Sequence, residues 1–323
     1  MITKNLYFIE MDKFDFNEVN LIPNKCIVNS RSECITNIIL GKYNFKMPIV
    51  PANMECVINE NIAIKLAKSG YFYIMHRFDI DPIIFTENMK RLNLISSISL
   101  GVNSDSYQYI DTFEKNNLFP DFITIDIAHG HSIKMEKMLK YIKEKLPETF
   151  VIAGNVSTPQ AIIDLEEWGA DACKVGIGPG SSCTTWPSTG FGSRNCQAHT
   201  IYNCSKYSTK PIIADGGIKV PGDISKSLAL GASMVMIGGM LSGFNDSPGD
   251  LISTNEGFFK EFWGSASAFQ SGKKNRIEGR KNLIPFKDKS LFDELKYIEE
   301  CLQSSISYAG GSDLSAFKKV KWF

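Results

Sequence analysis

Eight short runs of aliphatic and β-branched residues, each followed by a helix-length amphipathic stretch, predict an α/β chain folded as a (β/α)8 TIM barrel. The runs are continuously apolar rather than alternating, as in parallel strands covered on both faces. They also recur evenly over roughly 200 residues, the spacing of a closed barrel. A doubly wound open sheet is the competing architecture, and the even spacing favours closure. With 323 residues, 43% apolar and 22% charged, the chain can bury a large core as a single domain.

In order, the predicted strands are Pro48–Pro51, Tyr71–Met75, Ile95–Val102, Phe122–Asp126, Phe150–Ala153, Ala172–Val175, Pro211–Ala214 and Met234–Ile237. Helical patterns lie between them, among them Asn61–Lys68 and Pro159–Leu165. Ser157-Thr158-Pro159 puts a capping hydroxyl and a first-turn proline where the second of these begins. Residues 1–45 read as an N-terminal extension, 46–240 as the barrel strands, and 241–323 as an active-site flap and a C-terminal helix. The Gly- and Lys-rich stretch Ser271–Lys281 reads as a mobile loop.

Composition narrows the function classes. Thirty-five basic residues balance thirty-five acidic ones, so there is no general electrostatic attraction to nucleic acid or anionic membrane. No apolar run reaches the roughly 18 residues of a membrane helix. Met1–Asn5 opens no signal peptide, and the expected location is cytoplasmic. The eight cysteines contain no Cys-x-x-Cys pair, and the four histidines are too scattered for a metal cage.

Barrel chemistry gathers at the carboxyl ends of strands. Those ends carry Asn53, His76-Arg77, Asp126, Gly154-Asn155 and then the run Gly176–Thr185. Cys183, on that glycine-rich loop between hydroxyl residues, is placed as a nucleophile; the bland alternative is a small residue packed in a turn. Gly216-Gly217 and Gly238-Gly239 follow the seventh and eighth strands, where bare amides can converge on a phosphate. Asp215 stands beside them as an acceptor for ribose hydroxyls.

Gly176–Thr185, Ile213–Gly217 and Met236–Gly239, with Asn29–Glu33, Pro51–Met54, Asp126–His131, Ile277–Gly279 and Ser304–Gly310, resemble the IMP dehydrogenase/GMP reductase family over about Phe16 to Gly311. The early strand spacings leave no room for the CBS modules of the dehydrogenase branch. No Arg-Tyr dipeptide, the dehydrogenase's water-activating pair, occurs anywhere in the chain. The resemblance is therefore to the reductase branch. It implies NADPH-dependent reductive deamination of GMP to IMP and ammonia through a covalent cysteine intermediate, in purine salvage, by a homotetramer. A shortened dehydrogenase and a barrel that binds nucleotide without turnover are the rivals.

The resemblance further implies catalytic roles for Cys183, Thr185 and Glu278. It assigns nucleotide binding to Asp215, Gly216, Gly217, Gly238, Gly239, Ser265, Ala266, Ser267 and Gly279. Dinucleotide binding falls to Ser30, Arg31, Arg77, Asp126, Ile127, Ala128, Ser305 and Tyr308, some of them serving a neighbouring subunit. Carbonyls around Gly178, Gly180 and Cys183 match a monovalent-cation site, for potassium. One departure stands out: Trp186 follows Cys183-Thr184-Thr185, where the family usually has a basic residue.

Overall fold

The structure, a computed structural model, describes residues 13–272 and 277–323. Residues 1–12 of the expected N-terminal extension and 273–276 of the expected loop lie outside the described residues. A hairpin of β1 (Ile38–Leu40) and β2 (Tyr43–Phe45) precedes the parallel strands β3 (Ile49–Pro51), β4 (Ser97–Leu100), β5 (Phe122–Asp126), β6 (Phe150–Val156), β7 (Ala172–Val175), β8 (Ile212–Asp215) and β9 (Met234–Ile237). Their order is β3-β9-β8-β7-β6-β5-β4, a sheet curled into a (β/α)8-type barrel.

The second predicted strand differs from expectation. Tyr71–Met75 forms no regular ladder, although all five of its side chains are buried and Met75 N–H donates to Ser97 O at 3.0 Å. The Ser97 N–H donates instead to the Tyr73 hydroxyl at 3.2 Å, and that hydroxyl donates to Ile95 O at 2.6 Å. A side chain thus takes the place of a rung that backbone would otherwise make.

Helices return outside the strands: α1 (Glu60–Lys68), α2 (Pro82–Arg91), α3 (Ser104–Lys115), α4 (Ile133–Lys145), α5 (Pro159–Glu167), α6 (Thr185–Thr189), α7 (Gln197–Ser205) and α8 (Pro221–Ala229). α5 starts as its sequence predicts, with Thr158 Oγ1 accepting from Ala161 N–H at 3.3 Å and Pro159 in the first turn. Beyond β9 the chain builds an antiparallel sheet, β10 (Leu251–Thr254), β11 (Gly257–Trp263) and β12 (Lys281–Pro285). The short α9 (Ala268–Ser271) interrupts it before α10 (Leu291–Tyr308). The flap expected in this region is thus rooted in a sheet. Phe262 and Trp263 of β11 are buried with the barrel interior.

Alternation along each strand divides the core in two. Phe122, Ala172 and Ile213 face the interior cluster, while their neighbours Ile123, Cys173 and Ile212 join the layer beneath the helices. The β1–β2 hairpin plugs the amino end of the barrel. Its Tyr43 and Phe45 pack against Phe122 and Phe72, and Phe122 also meets Phe150. Burial of each such ring contributes about 1.5–3 kcal/mol. With its floor filled, the barrel interior is closed at the amino end among the described residues. Among the described residues no helix is long and apolar enough to cross a membrane.

Candidate active site

The alternation that turns Phe122, Ala172 and Ile213 inward also turns in Asp126, Lys174 and Asp215, each later in phase on its own strand. Lys174 Nζ lies 3.0 Å from Asp126 Oδ1 and 2.9 Å from Asp215 Oδ2. Asn53 Nδ2 donates to Asp126 Oδ2 at 2.8 Å, and Asn155 Nδ2 donates to Asp215 Oδ2 at 2.7 Å. Burial pushes the Asp126 carboxyl up, but Lys174, Asn53 and Arg77 outweigh it and hold it below the ordinary range. Burial likewise opposes the charge on Lys174, and the two carboxylates more than restore it.

Above this floor the loop after β7 carries Cys183, whose Sγ donates to Thr185 Oγ1 at 3.2 Å. The Thr185 hydroxyl in turn donates to Glu278 Oε2 at 2.6 Å. The thiol, hydroxyl and carboxylate therefore form one directed chain, although Glu278 lies 93 residues beyond Thr185. Backbone bonds hold it: Thr184 N–H to Glu278 O at 2.9 Å, Glu278 N–H to Ala266 O at 3.1 Å, and Arg280 N–H to Ser182 O at 2.9 Å. Gly279 bridges both Cys183 and Ser267. The segment 278–280 is thus clamped between the cysteine loop and Ser265-Ala266-Ser267. That arrangement brings three distant groups of predicted residues together.

Three of the buried thiols are poorly suited to ionise. Burial pushes Cys56 and Cys204 up to about 12, and Cys173 further. Cys183 is partly exposed, on the rim.

The two glycine pairs stand where expected. Gly216 and Gly217 have φ of 88° and 83°, a left-handed turn that suits glycine alone among common residues. A Cβ on Gly216 would also come within 2.9 Å of Pro179 and 3.0 Å of Gly180 N, so the turn packs directly on the cysteine loop. Gly238 and Gly239 follow β9, with Phe262, Ala52 and Met54 beside Gly238 and Ile284 beside Gly239.

The predicted dinucleotide residues fall into two sets. Arg77, Asp126, Ile127 and Ala128 lie at the carboxyl ends of the strands. Ser30, Arg31, Ser305 and Tyr308 gather elsewhere, with Arg31 5.7 Å from the Tyr308 ring and donating to Ser304 Oγ at 3.2 Å. The path of α10 separates the sets. Its start is tied to Asp246, in the segment after β9, and its 18 residues span about 27 Å. Glu299, midway along, pairs with Lys46 just before β3, so Tyr308 lies toward the barrel's amino end. In one chain the second set therefore stands at the far end of α10 from the segment that follows β9.

Gly178, Gly180 and Cys183 share one turn, in which Gly180 O already accepts Cys183 N–H at 3.0 Å. A second lone pair remains on that carbonyl. Among the described residues no group of three His, Cys, Asp or Glu side chains could hold a metal ion. Trp186 is half exposed, with the Arg194 guanidinium 5.3 Å from its ring centroid, so a cation stands beside it although the side chain itself is apolar.

The sequence reading singled out neither Lys174 nor any role for Asn155 and Asn53. A signal for the lysine was present: a charged residue inside an apolar strand run, in phase with aspartates on two other strands.

Residues 13–323 match the family model described as the IMP dehydrogenase / GMP reductase domain. The chain is 53% identical to a GMP reductase of Mesoplasma florum, over 97% of this chain and 98% of that one. Identity to a GMP reductase of Enterococcus faecalis is also 53%, over 97% and 96%. For one from Helicobacter pylori it is 56%, over 96% of this chain and 94% of the relative.

Proposed function

The chain belongs to the IMP dehydrogenase / GMP reductase family, and from that premise we propose that it is a GMP reductase, converting GMP to IMP and ammonia with NADPH. The directed chain Cys183–Thr185–Glu278 carries the reading, because this reaction needs a thiolate first and a proton donor next. The GMP phosphate would rest on Gly216, Gly217, Gly238 and Gly239, with its ribose at Asp215. The base would be bounded by Ser265, Ala266, Ser267 and Gly279, with C2 toward Cys183.

The thiol proton passes through Thr185 to Glu278, and the sulfur attacks C2 of the purine. Glu278 returns that proton, through Thr185, to the 2-amino group. The C–N bond breaks, ammonia departs, and C2 stays bonded to Cys183 as a thioimidate. NADPH, when bound, supplies hydride to C2. The C–S bond then breaks with its electrons on sulfur, giving IMP and the thiolate. Thr185 is buried, which keeps bulk water off the middle of the relay.

Arg77 and Asp126 fit the reactive end of a dinucleotide, a cation beside a carboxylate on the same rim. Ser30, Arg31, Ser305 and Tyr308 fit its far end in a neighbouring copy, since α10 carries them toward the amino end of their own barrel. Their position supports a homo-oligomer, which we take to be a tetramer acting as one barrel domain per chain in the cytoplasm. A potassium ion would be held by the carbonyls of Gly178, Gly180 and Cys183, as suits a weakly bound cation without carboxylate ligands. Steady-state assays test the function. NADPH oxidation with GMP and no NAD reduction with IMP are expected; the reverse would assign a dehydrogenase, and binding without turnover a regulatory barrel.

A further inference from the structure

Lys174 is only 2% exposed, yet it carries a charge into the barrel. Neighbouring structure is shaped around it. A Cβ on Gly154 would fall 2.5 Å from Lys174 Cβ and 2.9 Å from its carbonyl oxygen, so β6 passes at backbone distance only because that residue is glycine. A buried cation between two carboxylates is weak evidence for stability, because apolar residues of similar volume often do as well. Its geometry is more telling. Lys174 and Asn155 both bind Oδ2 of Asp215, and among the described residues no side chain donates to Oδ1. Asp215 keeps about a fifth of its side chain exposed on the side of the mouth. Asp126 is held through both oxygens, one by Lys174 and one by Asn53.

We propose that Lys174 is a positioning residue: it pins Oδ2 of Asp215, leaving Oδ1 to accept a ribose hydroxyl, and ties that carboxylate to Asp126 on the dinucleotide side. The inference rests on the nucleotide reading above. Through this lysine one cation sets the orientation of a group in each ligand site. Asn53–Asp126–Lys174–Asp215–Asn155 forms a continuous polar bar across the barrel mouth.

Calorimetry with GMP and with 2′,3′-dideoxy-GMP separates positioning from mere support. A purely structural lysine, once lost, weakens both ligands alike and leaves their affinity ratio unchanged. Wild-type protein should favour GMP by about 10-fold or more, the size of one hydrogen bond to a charged acceptor. In Lys174→Met the ratio should collapse below about 3-fold, in protein shown folded by thermal melting. If that variant does not fold, Lys174→Arg decides. It keeps the charge but puts a planar, larger fork in place of the single nitrogen that meets Asp126 Oδ1 at 3.0 Å and Asp215 Oδ2 at 2.9 Å, and its ratio should fall to less than half of wild type. A folded variant with the wild-type ratio overturns the inference alone. Wild-type protein that binds both ligands equally overturns the ribose role of Asp215, and the inference with it.

Discussion

Replacing Glu278 by Gln is expected to slow turnover far more than it weakens GMP binding. Glutamine retains an oxygen to accept from Thr185 Oγ1, now 2.6 Å from the carboxylate, so the geometry of the relay survives. A charged acceptor is worth about 1.5–3 kcal/mol against about 1 for a neutral one, so the ground state loses only about 1 kcal/mol. The amide cannot take the thiol proton or return it to the departing amine. Loss of one general acid–base group typically costs about 10²–10⁴-fold, or about 2.7–5.4 kcal/mol of barrier. kcat for GMP-dependent NADPH oxidation should therefore fall at least about 100-fold, while the calorimetric Kd for GMP stays within about 5-fold. Thr185→Val should fall similarly, and the double variant should be little worse than either, because the two act as one unit. A kcat within about 5-fold of wild type in Glu278→Gln would refute the relay.

Other outcomes follow from the same geometry. If the glycine turns hold the phosphate as proposed, guanosine should bind at least about 100-fold more weakly than GMP by calorimetry. Phe122→Ala should cost about 3–5 kcal/mol in denaturant unfolding, because the ring is fully buried and has aromatic neighbours at 4.9 to 6.0 Å. Burial holds His76 at about 4 rather than 6.5. The unfolded chain therefore takes up this proton first, and stability present above pH 6.5 declines as pH falls toward 4. The loss is about 3 kcal/mol at about 1.4 kcal/mol per pH unit. Melting temperatures of His76→Gln should fall less steeply than wild type over that window.

Much of the barrel was legible because buried parallel strands need continuous apolar runs, and these were plain at Phe150–Ala153 and Met234–Ile237. Tyr71–Met75 looked the same, and its ladder was lost to a tyrosine hydroxyl that no periodicity reveals. The β1–β2 plug and the β10–β12 sheet were missed because their strands are short or solvent-facing, and they take their meaning from distant partners. Cys183 was visible from its loop. Glu278 became a partner only through the family resemblance, since nothing local to Ile277-Glu278-Gly279 points across 93 residues to Thr185. Lys174 lay unremarked inside a correctly read strand, because its role exists only once two other strands supply aspartates. The division of the dinucleotide residues into two sets likewise depends on where α10 ends.

The central claim is that Cys183 is the covalent nucleophile. Treating the protein with 6-chloropurine ribotide, with and without GMP, and mapping the adduct by mass spectrometry tests it directly. A single modified thiol at Cys183, protected by GMP, is expected, with a Cys183→Ser variant that binds GMP without turnover. An adduct on Cys173 or Cys196 instead, or turnover by Cys183→Ser at the wild-type rate, would contradict it.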